Sequence, residues 1–246
     1  MRALSTLDRR TVLRALSLAP LMAAVPTIIR AQANKAGLIS TDVCLLQPEV
    51  SEGPFYVDPN LIRADITEDR AGLPMTLRLQ VVTAGCAPVV GVRVDVWHCD
   101  AAGSYSGVQN LGGDDLTGQK FLRGSQISDA AGTVAFQTIF PGWYPGRTTH
   151  IHYKVILADT TVLTSQIFFD DAVTSAIYDD HHAYAANGVR REIFNRDDGI
   201  ARKAGSGARA NVRMNEPDGA MEAALVVGIS PDGRSSWLLD WLWRKG

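Results

Sequence analysis

Only three cysteines, Cys44, Cys86 and Cys99, occur in 246 residues, and no two form a Cys-x-x-Cys pair. That excludes a thiolate zinc site and a dithiol redox motif. Basic charge is not in surplus either: the formal net charge is −2. Beyond the first thirty residues no apolar run approaches the ~20 residues of a membrane span. No internal repeat is evident, and no Asp or Glu lies between Arg147 and Ala158. What remains is the composition of an ordinary globular chain, 46% hydrophobic and 20% charged.

The N-terminus departs from that background. Asp8-Arg9-Arg10-Thr11-Val12-Leu13-Arg14 precedes an apolar run from Ala15 to Ile29, broken by Pro20 and Pro26. Ala31-Gln32-Ala33 follows with the small-x-small pattern of a cleavage site. The paired arginines predict a twin-arginine export signal over residues 1–33, a single domain over 34–246, and a periplasmic or secreted protein. The membrane would then be met only during export. Residues 1–33 hold five Arg and one Asp, so their removal takes the net charge from −2 to −6. That acidity excludes a nucleic-acid partner. An oxidising compartment permits one disulfide. Cys86 and Cys99 bracket an extended run at Val92–His98, which separates them, so Cys44 with Cys99 is the expected pair.

The rest of the chain reads as short strands between turns. Met75–Thr83 alternates apolar and polar residues, as does the run from Val92 to His98. Thr133–Ile139, His150–Leu157, Thr161–Phe169 and Met221–Ile229 complete the strand set. Residues 171–186 have partial helical spacing, and Ala201–Asn211 reads as a loop. Asn110–Gly118, rich in Gly and Asp, reads as a mobile one. His181 and His182, adjacent and unable to share a helix face, read as surface residues. Trp237–Trp243 is expected to pack against the core. The fold class is therefore all-β, an antiparallel β-sandwich with irregular loops and a short helix.

One stretch concentrates the chemistry. Pro141-Gly-Trp-Tyr-Pro-Gly-Arg-Thr-Thr-His-Ile-His152 places Tyr144, Arg147, His150 and His152 within twelve residues. On a strand, positions i and i+2 share a face roughly 7 Å apart, so two imidazoles can converge on one ion. Tyr105 lies just past another strand end, in the loop Asp100–Gly107. Two tyrosines and two histidines make an N2O2 donor set. Tyrosine titrates near ~10, so binding it as phenolate needs a strong Lewis acid, and hard anionic oxygens suit iron(III).

With these motifs in hand, the sequence resembles the intradiol ring-cleavage dioxygenases. Trp97-His-Cys-Asp-Ala-Ala-Gly-Ser-Tyr105-Ser is similar to the family's segment for its first iron tyrosine, and Pro141-Gly-Trp-Tyr144 to that for its second. Arg147-Thr-Thr-His150-Ile-His152 is similar to the Arg-x-x-His-x-His segment, and Thr164-Ser-Gln166 to a position beside the metal. Ser51-Glu-Gly-Pro-Phe-Tyr56 resembles the segment lining the substrate pocket. The resemblance implies Fe(III) held by Tyr105, Tyr144, His150 and His152, with Tyr144 and Arg147 active in catalysis. Gly53, Pro54, Phe55, Tyr56 and Gln166 would contact substrate, and a catechol-type compound and O2 would be the partners. Self-association into a homo-oligomer stays open. Only two residues separate Tyr144 from Arg147, fewer than in the catechol and protocatechuate enzymes, and no counterpart is expected to the N-terminal helical domain of the catechol enzymes. Two other readings compete. A ferrous centre of two histidines and one carboxylate needs an acid near the His pair, and an exported non-catalytic sandwich binding a carbohydrate or protein predicts no iron.

Overall fold

A computed structural model describes residues 46–230, apart from 59, 111–112 and 216–218. The leader, Cys44 and the Trp237–Trp243 segment lie outside the described residues. The strands are β1 (Pro74–Thr83), β2 (Arg93–Trp97), β3 (Arg123–Ile127), β4 (Thr133–Ile139), β5 (His150–Leu157), β6 (Thr160–Phe168), β7 (Asn211–Asn215) and β8 (Ala220–Ile229). Two helices, α1 (Asp171–Asp180) and α2 (Gly199–Ala204), fall between β6 and β7, with 3-10 turns at His182–Asn187 and Ser206–Ala208. The strands form two four-stranded sheets, ordered β4-β1-β8-β7 and β3-β2-β5-β6.

Alternation decides what faces what. Met75, Leu77, Leu79 and Val81 of β1 point into the core. Val94 and Val96 of β2 and Ile151, Tyr153 and Val155 of β5 meet them from the other sheet. Because successive side chains point to opposite faces, His150, His152 and Trp97 are left on the outer face of the second sheet. There they are buried all the same, because irregular segments cover that face.

The expected sandwich is present, with corrections. β1 and β8 run parallel, Met75 beside Met221 and Thr83 beside Ile229, so the first sheet is mixed. Two strands escaped the periodicity reading. β3, Arg-Gly-Ser-Gln-Ile, buries Arg123 and Ser125 and carries no apolar alternation. β7 is a mostly exposed edge strand, whose sequence therefore shows no burial pattern. The segment read as a loop from Ala201 contains most of α2, capped by Asp198, whose side chain accepts from the N–H groups of Ile200 and Ala201. The cysteine expectation also fails. Cys99 is a free, buried thiol, and Cys86 is the one engaged in a disulfide. Cys99 continues the strand end under Phe55 and Tyr105, inside an apolar cluster. No helix among the described residues is long and apolar enough to cross a membrane.

Candidate metal centre

β5 supplies both imidazoles. His150 pairs with Phe168 of β6, and His152 lies between Trp97 of β2 and Gln166 of β6. The His152 ring stacks on Trp97, centroids 4.9 Å apart and planes within 9°, so its edge is fixed. His150 is oriented by its Nδ1–H, which donates to the carbonyl of Thr148 at 2.7 Å. A carbonyl only accepts, so the Nε2 of His150 carries the lone pair. It points at the Nε2 of His152, 3.1 Å away.

The tyrosines arrive on two loops that touch. Asp100 turns the chain after β2, its Oδ1 accepting from the N–H groups of Ala102 and Ser104. Asn110 pins Tyr105, accepting from its N–H at 2.7 Å and donating to its carbonyl at 2.8 Å. Asn110 thus fixes the backbone of Tyr105, a role its place in a Gly-rich, mobile-looking stretch did not suggest. The second loop approaches through Gly142, where an added Cβ would lie 2.4 Å from the carbonyl oxygen of Asp100. Only glycine allows that contact, and with it Tyr144 comes beside Tyr105, ring centroids 5.8 Å apart.

The hydroxyls of Tyr105 and Tyr144 lie 3.4 Å and 3.2 Å from the Nε2 of His150. An Arg147 Nη1 lies 3.4 Å from that nitrogen. One imidazole lone pair cannot serve four neighbours. Four lone-pair-bearing atoms, two phenol oxygens and two imidazole nitrogens, instead crowd around a common point. This is the arrangement a cation resolves, and the residues fit an N2O2 metal site.

Protonation supports the fit. Burial, reinforced by Arg147, pushes the His150 imidazole down to about 3. His152 is driven well below its ordinary range by burial and by His150. Both rings are therefore neutral, the form that binds metals. Burial raises Tyr144 to about 12 against the pull of Arg147, and Tyr105 goes well above the usual phenol range through burial and its neighbour Tyr144. Neither phenol ionises at neutral pH unless a strong cation is present.

Arg147 is tied into the site by two further side chains. Its Nε donates to Asp198 Oδ2 at 2.7 Å and an Nη2 donates to Gln166 Oε1 at 2.5 Å. Gln166, fully buried, donates its other end to the carbonyl of Ser51 and so ties Arg147 to the covering segment. Of the expected substrate contacts, two face the centre. Phe55 stacks on Tyr105 with centroids 4.5 Å apart and meets Tyr144 edge-on. At Gly53, φ is +72° and a Cβ would lie 3.3 Å from His152 Cε1. Pro54 is exposed. Tyr56 turns away: its hydroxyl donates to Asp95 at 2.9 Å while its ring packs on Trp97 under the Lys154 ammonium. His181 and His182 stack on each other near Tyr184, outside the donor set.

Sequence reading missed Asp198, which lies in an Asn-Arg-Asp-Asp-Gly stretch far from the His pair. Its signal was the capping position before a Gly-Ile-Ala run. Nor is it the missing carboxylate of a two-histidine ferrous site. Its oxygens are taken by Arg147 and by the N–H groups of Thr148, Ile200 and Ala201. Among the described residues no group of three or more His, Cys, Asp or Glu could hold a metal. A candidate donor set of four therefore needs the two tyrosine oxygens beside the imidazoles.

The family model described as Dioxygenase matches residues 48–205. An intradiol ring-cleavage dioxygenase from Tetranychus urticae is 35% identical, with a TM-score of 0.70 over 76% of this chain and 96% of its own. The dioxygenase domain of a dioxygenase and carbohydrate-binding fusion from Streptomyces sp. SirexAA-E is 28% identical, with a TM-score of 0.57 over 75% of this chain and 97% of that one. A chlorocatechol 1,2-dioxygenase from Pseudomonas sp. (strain P51) is 28% identical over 140 residues, 48% of this chain and 54% of that protein. The chain spans about half the length of such relatives. The matched region contains every donor of the centre and the Asp198 that braces it, and on that match the chain belongs to the intradiol ring-cleavage dioxygenase family.

Proposed function

We propose that the protein opens the aromatic ring of a catechol-type compound between its two hydroxyl-bearing carbons, using O2 and ferric iron held by Tyr105, Tyr144, His150 and His152. The observation that carries this reading is the crowding of two phenol oxygens and two imidazole nitrogens around one point. The relatives' names, catechol and chlorocatechol dioxygenases among them, support the same substrate class. When bound, iron(III) supplies the Lewis acidity and the redox partner that the chain's own side chains lack.

The residues divide the remaining work. Tyr105 is immobilised between Phe55 and Asn110. Tyr144 is half-buried and lines a cavity that opens outward. Tyr144 would therefore be the ligand free to move, and its oxygen, a phenolate only while the metal is bound, would take a proton from an incoming catechol hydroxyl. Arg147, held against Asp198 and Gln166, presents a fixed positive charge where negative charge develops on the opening ring. Phe55 and the stacked rings exclude water from the inner face.

The test is oxygen uptake by iron-loaded protein across a panel of catechols, with labelled O2 and product identification. Ring-opened diacid carrying both labelled atoms is expected. No uptake with any catechol by a protein holding stoichiometric iron would overturn the reading.

We also propose export of the folded protein through the twin-arginine route, with residues 34–246 as the mature domain. Arg9-Arg10 and Ala31-Gln32-Ala33 motivate this, and the disulfide at Cys86 suits an oxidising compartment.

A further inference from the structure

The cavity beside Tyr144 has a volume of about 320 Å³. A cavity of ~150 Å³ already holds a benzene ring, so about half of this one is left for ring substituents. Phe55 and Tyr144 line it, and Ser104, Asp114 and Asn187 are among its polar lining. No Lys or Arg lines it.

The polar groups on offer are mainly acceptors. Asn187 donates its Nδ2 to the carbonyls of Trp143 at 2.8 Å and Ala101 at 3.2 Å, which fixes the amide orientation. Its Oδ1 is then a buried acceptor with no partner. Asp114 is exposed, lines the cavity and forms no ion pair among the described residues. Its charge reaches inward, being one of the influences that raise the buried Asp100, though burial is the largest. The nearest guanidinium to the donors, Arg147, is held by Asp198 and does not line this cavity.

Resting on the ring-cleavage reading, we infer that this pocket selects catechols whose side arm carries hydrogen-bond donors and positive charge, and disfavours carboxylate-bearing ones, with Asp114 as the specificity-determining residue. A protonated amine on the arm meets the Asp114 carboxylate and the free Asn187 oxygen. A carboxylate meets two acceptors and no cation.

Calorimetric Kd values for dopamine, protocatechuate and uncharged methylcatechol on the anaerobic iron-loaded protein test this without turnover. Dopamine is expected to bind about tenfold tighter than protocatechuate at low salt. The ratio should shrink about fivefold in Asp114→Asn, the scale of an exposed charge pair, and in high salt. Comparing ratios within each variant cancels any general damage to the fold, and Asp114→Lys should reverse the order. A ratio near one, or one unmoved by Asp114→Asn while methylcatechol still binds, overturns the inference and leaves the ring-cleavage reading standing. If no catechol binds and none is cleaved, both fall together.

Discussion

Asp198 and Arg147 are joined through Oδ2 and Nε at 2.7 Å, although 51 positions separate them in the chain. The same carboxylate caps α2 through its other oxygen. One side chain thus starts a helix, braces the guanidinium and accepts the N–H of Thr148, two residues before the first histidine. Burial works to raise its pKa, but the hydrogen bonds from Arg147 and Thr148 prevail and hold it below the usual carboxylate range.

Asp198→Asn keeps a capable helix cap but removes the charge that orients Arg147. Turnover should fall at least ~10-fold with iron content retained, and stability by about 1–3 kcal/mol, because Arg147 loses its partner in a mostly buried setting. Iron stoichiometry and urea midpoints measured beside kcat separate positioning from collapse. Unchanged kcat would assign Asp198 to the fold alone.

Arg147→Ala should retain iron and lose about 100-fold or more in turnover, the scale of removing one charge-stabilising donor. Arg147→Lys should recover only part of that, because an ammonium cannot reach Asp198 and Gln166 together. Loss of iron in both variants would make Arg147 a structural residue.

Colour reports the ligands directly, since ferric phenolate absorbs visible light. Iron-loaded protein should be red to burgundy, Tyr105→Phe and Tyr144→Phe should weaken or shift the band, and His150→Ala should abolish it with the metal. Tyr153→Phe and Tyr184→Phe should leave it in place. Tyr184→Phe will still cost about 1–2 kcal/mol, since its hydroxyl donates to Phe140 and accepts from Leu73 inside the core. A visible spectrum indifferent to both Tyr105 and Tyr144 would remove the phenolate ligands.

Acid should destabilise the fold through His98. Burial depresses this imidazole to about 4, and its nitrogens bond the Cys99 carbonyl and Thr138 hydroxyl. The unfolded chain takes up the proton near ~6.5, so the contribution is complete above that pH and is lost as pH falls toward 4. The loss attributable to this group is about 3 kcal/mol. Urea titrations at pH 7 and 4.5 should show a smaller difference in His98→Gln than in the parent.

Replacing Arg9 and Arg10 by Lys should retain unprocessed precursor in the cytoplasm, read by fractionation and immunoblot. Normal export of that double variant would remove the twin-arginine assignment.

Much of this architecture was legible because burial writes a period into the chain. Met75–Thr83 and His150–Leu157 announce a core face by alternation, and the His-x-His spacing places both rings on the other face. β3 was silent because its buried members are Arg123 and Ser125, held by hydrogen bonds rather than by apolar contact. The parallel β1–β8 pairing was silent because strand direction leaves no local mark. The four candidate donors could be read from motifs, and the structure brings their side chains together. Asp198 and Asn110 could not, since their roles exist only once distant loops meet. Tyr56 misled for a related reason: it shares a segment with Phe55, yet Asp95 draws its hydroxyl away.

The β1–β8 pairing also governs how the protein is made. β1 lies inside its sheet, between β4 and β8, so one of its flanks stays open until β8 has been synthesised. Contacts between such distant segments are slow to form, and an apolar strand waiting for its neighbour is open to mispairing with other chains. A nascent chain is therefore expected to need protection along Met75–Thr83 until Ala220–Ile229 is available to pair.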